Sequence, residues 1–306
     1  MNILVATEKP FSKVAVDQIR EIAEKGGHTL TTLEKYTDVQ QLYDAVADAD
    51  ALIVRSDKVT REVIAAAPKL QIVVRAGAGF DNLDLAACTE RGIVAMNTPG
   101  QNSNAVAELA LGFIIYISRN QFTAGTGSEL KGKTLGIQAY GNVGRLVAEH
   151  AKGFGMNIIA FDPFVPAEAI KADGVEVAAT LEELYEKSNF LSLHIPATEQ
   201  TKKSIGYHLL SRMPKGACLV NTARKEVIHE EELVQVLTER EDLKYITDIA
   251  ASNQAELNEK FGKRVFATPK KMGAETAEAN VNAGVAAANQ ICDFFATGNR
   301  KFQLNK

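Results

Sequence analysis

Short apolar runs alternate with amphipathic stretches along the chain. Asn2 to Thr7 is apolar on both sides of its alternation, as a buried parallel strand must be. It is followed by a helix carrying Val14, Ile19 and Ile22, which ends at Gly26-Gly27. The pattern then repeats. His28 to Leu33 reads as a strand and Val39 to Ala47 as a helix; Ala51 to Val54 is a strand ending in Arg55-Ser56, and Thr60 caps a short helix stopped at Pro68. Gln71 to Val74 ends in Arg75-Ala76-Gly77-Ala78-Gly79, and Ile93 to Met96 ends in Asn97-Thr98-Pro99. From Ser103 to about Gly125 runs a long helix rich in Ala, Leu and Ile, with Ser103 or Asn104 as its cap.

The second half carries the same alternation. A strand holding Leu135 and Ile137 is followed by a helix with Val143, Leu146, Val147 and Ala151, stopped by Gly153 and Gly155, and by the strand Ile158 to Phe161. A helix begins near Pro166, and Thr180 with Glu183 predicts a capping box for the next. Phe190 to Leu193, Ala217 to Val220, Tyr245 to Thr247 and Val265 to Thr268 are strands, with helices over His229 to Thr238 and Ala277 to Ala296. The fold class is therefore α/β, with two doubly wound, mainly parallel sheets. In such folds ligands bind at the carboxyl ends of the strands, where the glycines and charged residues of this chain collect.

Lys133 to Asp162 is the most specific stretch. Strand, turn Ala139-Tyr140-Gly141-Asn142-Val143-Gly144, helix, strand and terminal Asp162 follow one another in the register of a dinucleotide site. A diphosphate needs free N–H groups at a helix N-terminus, so Gly141 keeps side chains out of its way and Gly144 lets the helix pack closely on the strand. Asp162, about 20 residues on, can accept both ribose hydroxyls and repel a 2′-phosphate, which points to NAD rather than NADP. The first glycine of the usual fingerprint is Ala139, so the turn is expected to tolerate a Cβ.

Composition narrows the classes. The 306 residues are 46% hydrophobic with a net charge of -4, enough for two cored domains and without the basic face that nucleic acid requires. Cys88, Cys218 and Cys292 are far apart and form no CxxC, so no disulfide framework and no metal site is expected. No apolar run reaches membrane-spanning length, and the first residues run straight into a strand without a signal peptide, so a cytoplasmic location is expected.

Taken together, VRSDKVT from Val54, VRAGAGFDNLDL from Val74, NTPGQNSNAVAELALG from Asn97, AYGNVG from Ala139, LHIPATEQT from Leu193 and LVNTARKEV from Leu219 resemble the D-isomer-specific 2-hydroxyacid dehydrogenases. The likeness is to the branch acting on 3-phosphoglycerate, in a short form without a C-terminal regulatory domain. It implies a Rossmann NAD-binding domain over residues 102–275, inserted in a flavodoxin-like substrate domain made of residues 1–101 and 276–306. The helices from Ser103 and Ala277 would hinge the two around a cleft, and a homodimer is implied. The implied reaction is NAD-dependent oxidation of 3-phosphoglycerate to 3-phosphohydroxypyruvate for serine synthesis. The competing expectations are a hydroxypyruvate or glyoxylate reductase and a non-catalytic NAD-sensing scaffold.

By the same resemblance Arg224 is the catalytic arginine, suited to a carboxylate through paired hydrogen bonds. Backbone N–H groups of Ala76, Gly77, Ala78 and Gly79 complete the carboxylate site, and Arg55, Ser56, Lys58 and Arg75 face the phosphate. The implied cofactor residues are Asn104, the turn Tyr140 to Gly144, Asp162, His194, Pro196, Thr201, Thr222, Ala223, Arg224 and Asp248, the last on the nicotinamide carboxamide. His28, His150, His208 and His229 read as surface or packing residues.

One departure stands out. The family's acid/base histidine follows a Thr-Pro and is paired with a glutamate, but here Thr268-Pro269 leads into Lys270-Lys271-Met272-Gly273 and Asn253 stands at the glutamate's spacing. A lysine has no tautomer to fix, so the two losses fit one change, with one lysine as acid/base. Its ammonium is expected to lose charge readily beside a second lysine, Arg224 and partial burial. Counting from Pro269 favours Lys270; counting back from Gly273 and Thr276 favours Lys271.

Overall fold

The structure is a computed structural model in which residues 1–305 are described. It divides into two compact units, Met1–Asn102 with Glu275–Lys306, and Ser103–Ala274.

The first unit opens with β1 (Asn2–Thr7), α1 (Lys13–Lys25), β2 (Thr29–Glu34), α2 (Val39–Val46), β3 (Ala51–Val54), α3 (Arg61–Ala65), β4 (Ile72–Arg75), α4 (Leu85–Glu90) and β5 (Val94–Asn97). The strands form one parallel sheet in the order β2-β1-β3-β4-β5, the flavodoxin-like arrangement. Both faces are buried, which is why the strands read as unbroken apolar runs. Leu4, Leu52, Val54 and Val73 pack with Leu42, Val46, Val63 and Ile64 on one face. Ile3, Val5, Ile53 and Val74 pack on the other face with Ala15 and Ile19 of α1 and with Ala283, Ala287 and Ile291 of the C-terminal helix. Val14 is exposed rather than on the packed face of α1. The tail after that helix is pinned along β5, where Asn305 Oδ1 accepts the Ala95 N–H at 2.8 Å.

The second unit contains α5 (Ser103–Ser118), β6 (Thr134–Gln138), α6 (Asn142–Gly153), β7 (Asn157–Phe161), α7 (Ala167–Ala172), β8 (Glu176–Val177), α8 (Leu181–Lys187), β9 (Phe190–Leu193), α9 (Tyr207–Leu210), β10 (Cys218–Asn221), α10 (Glu230–Glu239), β11 (Lys244–Thr247), α11 (Gln254–Phe261) and β12 (Val265–Ala267). The C-terminal helix, α12 (Ala277–Thr297), returns to the first unit. The order β12-β11-β10-β9-β6-β7-β8 is that of a Rossmann sheet, with the strand order reversing at β6. The fold is thus α/β with two doubly wound parallel sheets.

Some local expectations change. Helix α5 stops at Ser118 instead of near Gly125, because Asn120, Gln121 and Phe122 have φ of 51°, 57° and 55° and turn the chain left-handed. Ser103 and Asn104 lie inside the helix rather than capping it. At α8, Thr180 Oγ1 accepts the Glu183 N–H at 3.1 Å, but Glu183 reaches back to the Ala179 N–H, one residue short of a full capping box. Among the described residues, no helix is long and apolar enough to cross a membrane.

A buried polar pair sits where β6 approaches the dinucleotide turn: the Tyr185 hydroxyl donates to Gln138 Oε1 at 2.8 Å. Burial holds the phenol well above its ordinary pKa, so it stays a donor. Tyr185→Phe leaves the amide oxygen without its partner, at a cost of about 1–3 kcal/mol. Calorimetry on the variant should show Tm lower by roughly 2–10 °C; an unchanged Tm would mean that this bond contributes nothing net.

Candidate active site

The turn after β6 is built for a diphosphate. Gly141 is the N-cap of α6 and no side chain closes the first turn. A Cβ at Gly141 would meet no atom within 4 Å, so the helix N-terminus opens onto free space. Gly144 is the opposite case: a Cβ there would come within 2.3 Å of the Ala139 carbonyl oxygen. The helix can lie on the turn only because that atom is missing. Ala139, however, has φ of 76°, a conformation suited to glycine, so the turn does not tolerate its Cβ without strain. Tyr140 points its ring into the core, with the Arg145 guanidinium over it at 5.3 Å, so only its main chain lines the turn. Burial, with Asp173 nearby, pushes its phenol up to about 12.

Asp162 ends β7 and holds the turn itself. Its Oδ2 accepts the Tyr140 N–H at 2.7 Å and its Oδ1 the Phe164 N–H at 2.8 Å. A carboxylate has about four acceptor sites, so Asp162 keeps capacity for a ribose hydroxyl while bracing the loops on both sides. These features fit a dinucleotide. Asn104 is tied on its own helix, donating to Glu108 at 2.7 Å and meeting His150 Nε2 at 2.9 Å. Asn142 is exposed and Val143 half-buried in the opening turn of α6.

The other strand ends of this unit carry the remaining groups. His194 follows β9, and its Nε2 meets Ser192 Oγ at 2.9 Å; burial pulls the imidazole down to about 3, so it is neutral at physiological pH. Thr201 hydrogen-bonds to the Thr198 N–H at 2.7 Å and to the Pro196 carbonyl, closing the loop that both residues stand on. After β10, Asn221 Oδ1 accepts the Ala223 N–H and its amide donates to the Arg224 carbonyl, each at 3.0 Å, fixing the backbone that carries the arginine. The neighbouring Thr222 hydroxyl is buried without a protein partner, as a ligand-facing group can be.

Asp248 is fully buried. Its carboxylate accepts from Thr268 Oγ1 at 3.0 Å and from the Met272 and Gly273 N–H groups, both at 2.8 Å. Three donors of the lysine segment are thus gathered on it, and, as at Asp162, acceptor capacity is left for the expected carboxamide. Lys270 and Lys271 are both exposed, which corrects the expected partial burial. Asn253 is the N-cap of α11, with its Nδ2 3.4 Å from Glu256 and its Oδ1 buried without a partner.

In the first unit the expected phosphate cations are partly committed elsewhere. Arg55 Nη1 donates to the Lys9 and Pro10 carbonyls at 3.1 and 3.2 Å, Nη2 bonds to Asn280, and the guanidinium lies over the Phe11 ring. Arg75 Nε donates to the Arg55 carbonyl at 3.0 Å. Ser56 and Lys58 are exposed, and between them the buried Asp57 accepts the Glu8 N–H at 2.7 Å and the Tyr36 hydroxyl at 2.9 Å. The Ala76 N–H is given to the Val54 carbonyl at 2.8 Å, so Ala76 cannot offer it to a carboxylate. Asn97 and Thr98 hold the rest of the loop, bonding the carbonyls of Ala78 and Gly77. Gly77, with φ of 148°, lies under the Arg75 guanidinium where a Cβ would collide. Among the described residues, no group of three His, Cys, Asp or Glu could hold a metal.

Comparison with known proteins agrees with this construction. Residues 112–270 match the family described as D-isomer specific 2-hydroxyacid dehydrogenase, NAD binding domain. A D-3-phosphoglycerate dehydrogenase of Methanocaldococcus jannaschii is 37% identical over 304 residues, covering 94% of this chain and 57% of that protein. The chain thus spans little more than half of that relative's length. A hydroxypyruvate reductase of Thermotoga maritima is 35% identical over 86% of this chain and 90% of its own. The NAD+-bound crystal structure of 3-phosphoglycerate dehydrogenase from Entamoeba histolytica superposes with a TM-score of 0.90 at 51% identity, covering 100% of this chain and 99% of that one.

Two outcomes follow from the turn and from His194. Ala139→Gly relieves about 1–2 kcal/mol of left-handed strain and gives back about 0.4–1 kcal/mol through a freer unfolded chain. The variant should melt slightly higher with NADH binding unchanged, whereas Gly144→Ala should melt lower and bind NADH roughly tenfold more weakly, about 1.4 kcal/mol. Equal NADH affinity in both variants would remove the close approach from the binding argument. For His194, the folded value lies below the ordinary one near 6.5, so unfolding takes up a proton in acid. Its contribution to stability is complete above that pH and is lost as the pH falls toward about 3. A plot of Tm against pH should be flatter in this window for His194→Gln; superimposable curves would show that the histidine is not buried neutral.

Proposed function

Because the chain belongs to the D-isomer-specific 2-hydroxyacid dehydrogenase family, we propose that it oxidises D-3-phosphoglycerate to 3-phosphohydroxypyruvate, feeding serine synthesis as a cytoplasmic homodimer. The observation that carries this reading is the full-length likeness to the NAD+-bound Entamoeba enzyme. NAD, when bound, supplies the hydride acceptor.

The rest is the work of this chain's residues. Gly141 and the first turn of α6 bind the diphosphate and Asp162 a ribose hydroxyl. Arg224 stays charged at every working pH, and its planar fork suits a carboxylate and the oxygen on C2, where negative charge grows as the hydroxyl proton leaves. Gly77, Ala78 and Gly79 offer backbone N–H groups to the carboxylate. Lys58, exposed on its loop, offers a cation to the phosphate at less cost to the fold than Arg55, which ties β3 to the loop before α1 and to α12.

The acid/base is Lys270 or Lys271. The alcohol gives up its C2 hydrogen with the bonding pair and its O–H proton, C2 and oxygen become a carbonyl, and the neutral lysine takes the proton. His194 is a poor base, because burial disfavours the imidazolium it would become and its Nε2 is at Ser192. A second reading, a hydroxypyruvate reductase, is favoured by the Thermotoga relative, which the chain nearly spans.

NADH oxidation with phosphohydroxypyruvate, hydroxypyruvate and glyoxylate run in parallel separates the two. The first reading expects a large preference for the phosphorylated ketoacid that Lys58→Ala reduces; equal rates support the reductase, and no turnover despite NADH binding supports a scaffold. Lys270→Met or Lys271→Met should lower kcat by about 10²–10⁴ and leave the Kd for NADH unchanged. The oxidation rate should rise with pH, since the lysine must be neutral to accept a proton. Full activity in both variants would refute the lysine role.

A further inference from the structure

We propose that Asp248 is the positioning residue for the acid/base lysine: one buried carboxylate holds both ends of the arch Thr268 to Gly273 on which Lys270 and Lys271 stand. This rests on the reading of a lysine as acid/base.

The bonding pattern is specific. Thr268 enters the arch with its one hydroxyl proton shared between the Asp248 carbonyl, at 2.7 Å, and Oδ1, at 3.0 Å. Met272 and Gly273 leave it with their N–H groups on Oδ1 and Oδ2, both at 2.8 Å. Three donors from the two ends converge on one carboxylate, and the residues between them are Pro269, Lys270 and Lys271. Gly273 must approach this closely: a Cβ there would lie 3.0 Å from Oδ2.

The anchor is itself held. Asp248 donates its N–H to the Asn221 carbonyl at 3.0 Å, and the Thr247 hydroxyl donates to the same oxygen at 3.1 Å. Asn221 in turn bonds the Arg224 carbonyl. The backbone of the arginine and the arch of the lysines therefore share one chain of hydrogen bonds across the ends of β10 and β11. The lysine side chains are exposed and long, and a backbone fixed at both ends is what limits where their ammonium groups can reach. A histidine is oriented through its ring by a partner side chain; the arch adds a constraint from beneath, through the main chain.

Asp248→Asn tests this, since an amide presents a donor where one of the two oxygens accepted. Hydrogen exchange at the Met272 and Gly273 amides, the Kd values for NADH and for ADP-ribose, and steady-state kinetics are measured together in the full chain. We expect exchange at one or both amides to accelerate at least tenfold, kcat to fall at least tenfold, and the Kd for ADP-ribose, which lacks the nicotinamide, to stay within threefold. Thr268→Val, which removes one hydroxyl and keeps the carboxylate, should give the same changes in smaller measure and serves if the first variant does not fold. Unchanged exchange in the folded variant overturns the inference whatever the rates do, and so does faster exchange with kcat intact. A Kd for NADH that rises in step with the loss of rate, with amide exchange and the Kd for ADP-ribose unchanged, makes Asp248 a nicotinamide contact only and overturns it too. Failure of the lysine reading is read separately, from full activity in both Lys270→Met and Lys271→Met.

Discussion

A strand that ends at the carboxyl edge of a parallel sheet passes into a loop whose backbone groups have no neighbouring strand to pair with, yet buried groups must pair. In this protein short acid and amide side chains close that gap at one strand end after another. Asp57 collects the Glu8 N–H and the Tyr36 hydroxyl after β3, and Asn97 reaches the Ala78 carbonyl from the end of β5. Asp162 braces Tyr140 and Phe164 after β7, Asn221 braces Ala223 and Arg224 after β10, and Asp248 gathers the segment after β12. Asp and Asn suit this because their short side chains bond backbone groups at short range and lose little freedom in doing so. In each unit the strand-end loops are thus hydrogen-bonded from their first residues, and exposed side chains such as Lys58 in the first and Lys270 in the second stand on backbones held in this way.

The strands and their order were legible because burial on both faces leaves little choice of residue: Phe190 to Leu193 and Ala51 to Val54 begin and end where the apolar run does. The elements that escaped, α4, α9, α11 and β8, are short or polar, and their formation rests on what they pack against more than on their own periodicity. The early end of α5 was hidden for another reason. Asn120 to Phe122 carry no glycine or proline, and only the hydrogen bonds made there, such as Asn120 to the Thr126 carbonyl at 2.9 Å, explain a left-handed turn by ordinary residues. Ala139 is the same lesson at a functional position. Its place in the motif was readable, but not that the turn would keep its glycine-like conformation and strain the alanine.

The local geometry of the candidate site was legible where a motif fixes it, and obscure where partners lie far off in sequence. Gly141, Gly144 and Asp162 stand as the spacing implied, because the turn, helix and strand are contiguous. Arg55 reads as a cation at a strand end and therefore as a phosphate ligand. What sequence could not show is that its guanidinium meets the carbonyls of Lys9 and Pro10 and the amide of Asn280, residues 45 to 225 positions away. Ala76 was misread by one hydrogen bond, to Val54.

The proton-transfer group draws these strands of argument together. An imidazole acid/base needs a carboxylate partner to fix its tautomer and hold its charge, and a carboxylate set beside a lysine would hold the ammonium protonated when it should be giving the proton up. Asn253 is neutral, turns its amide nitrogen to Glu256 and leaves its carbonyl oxygen buried without a partner, so position 253 supplies no charge to a lysine. Asp248 turns its carboxylate to the Thr268 hydroxyl and two backbone N–H groups. His194 offers little competition, since burial disfavours its charged form and its Nε2 meets Ser192. In the proposed mechanism, replacing histidine and glutamate together, while keeping a buried aspartate to hold the loop, would separate two duties that a histidine–carboxylate pair combines: the lysine would move the proton, and the backbone beneath it would set the position.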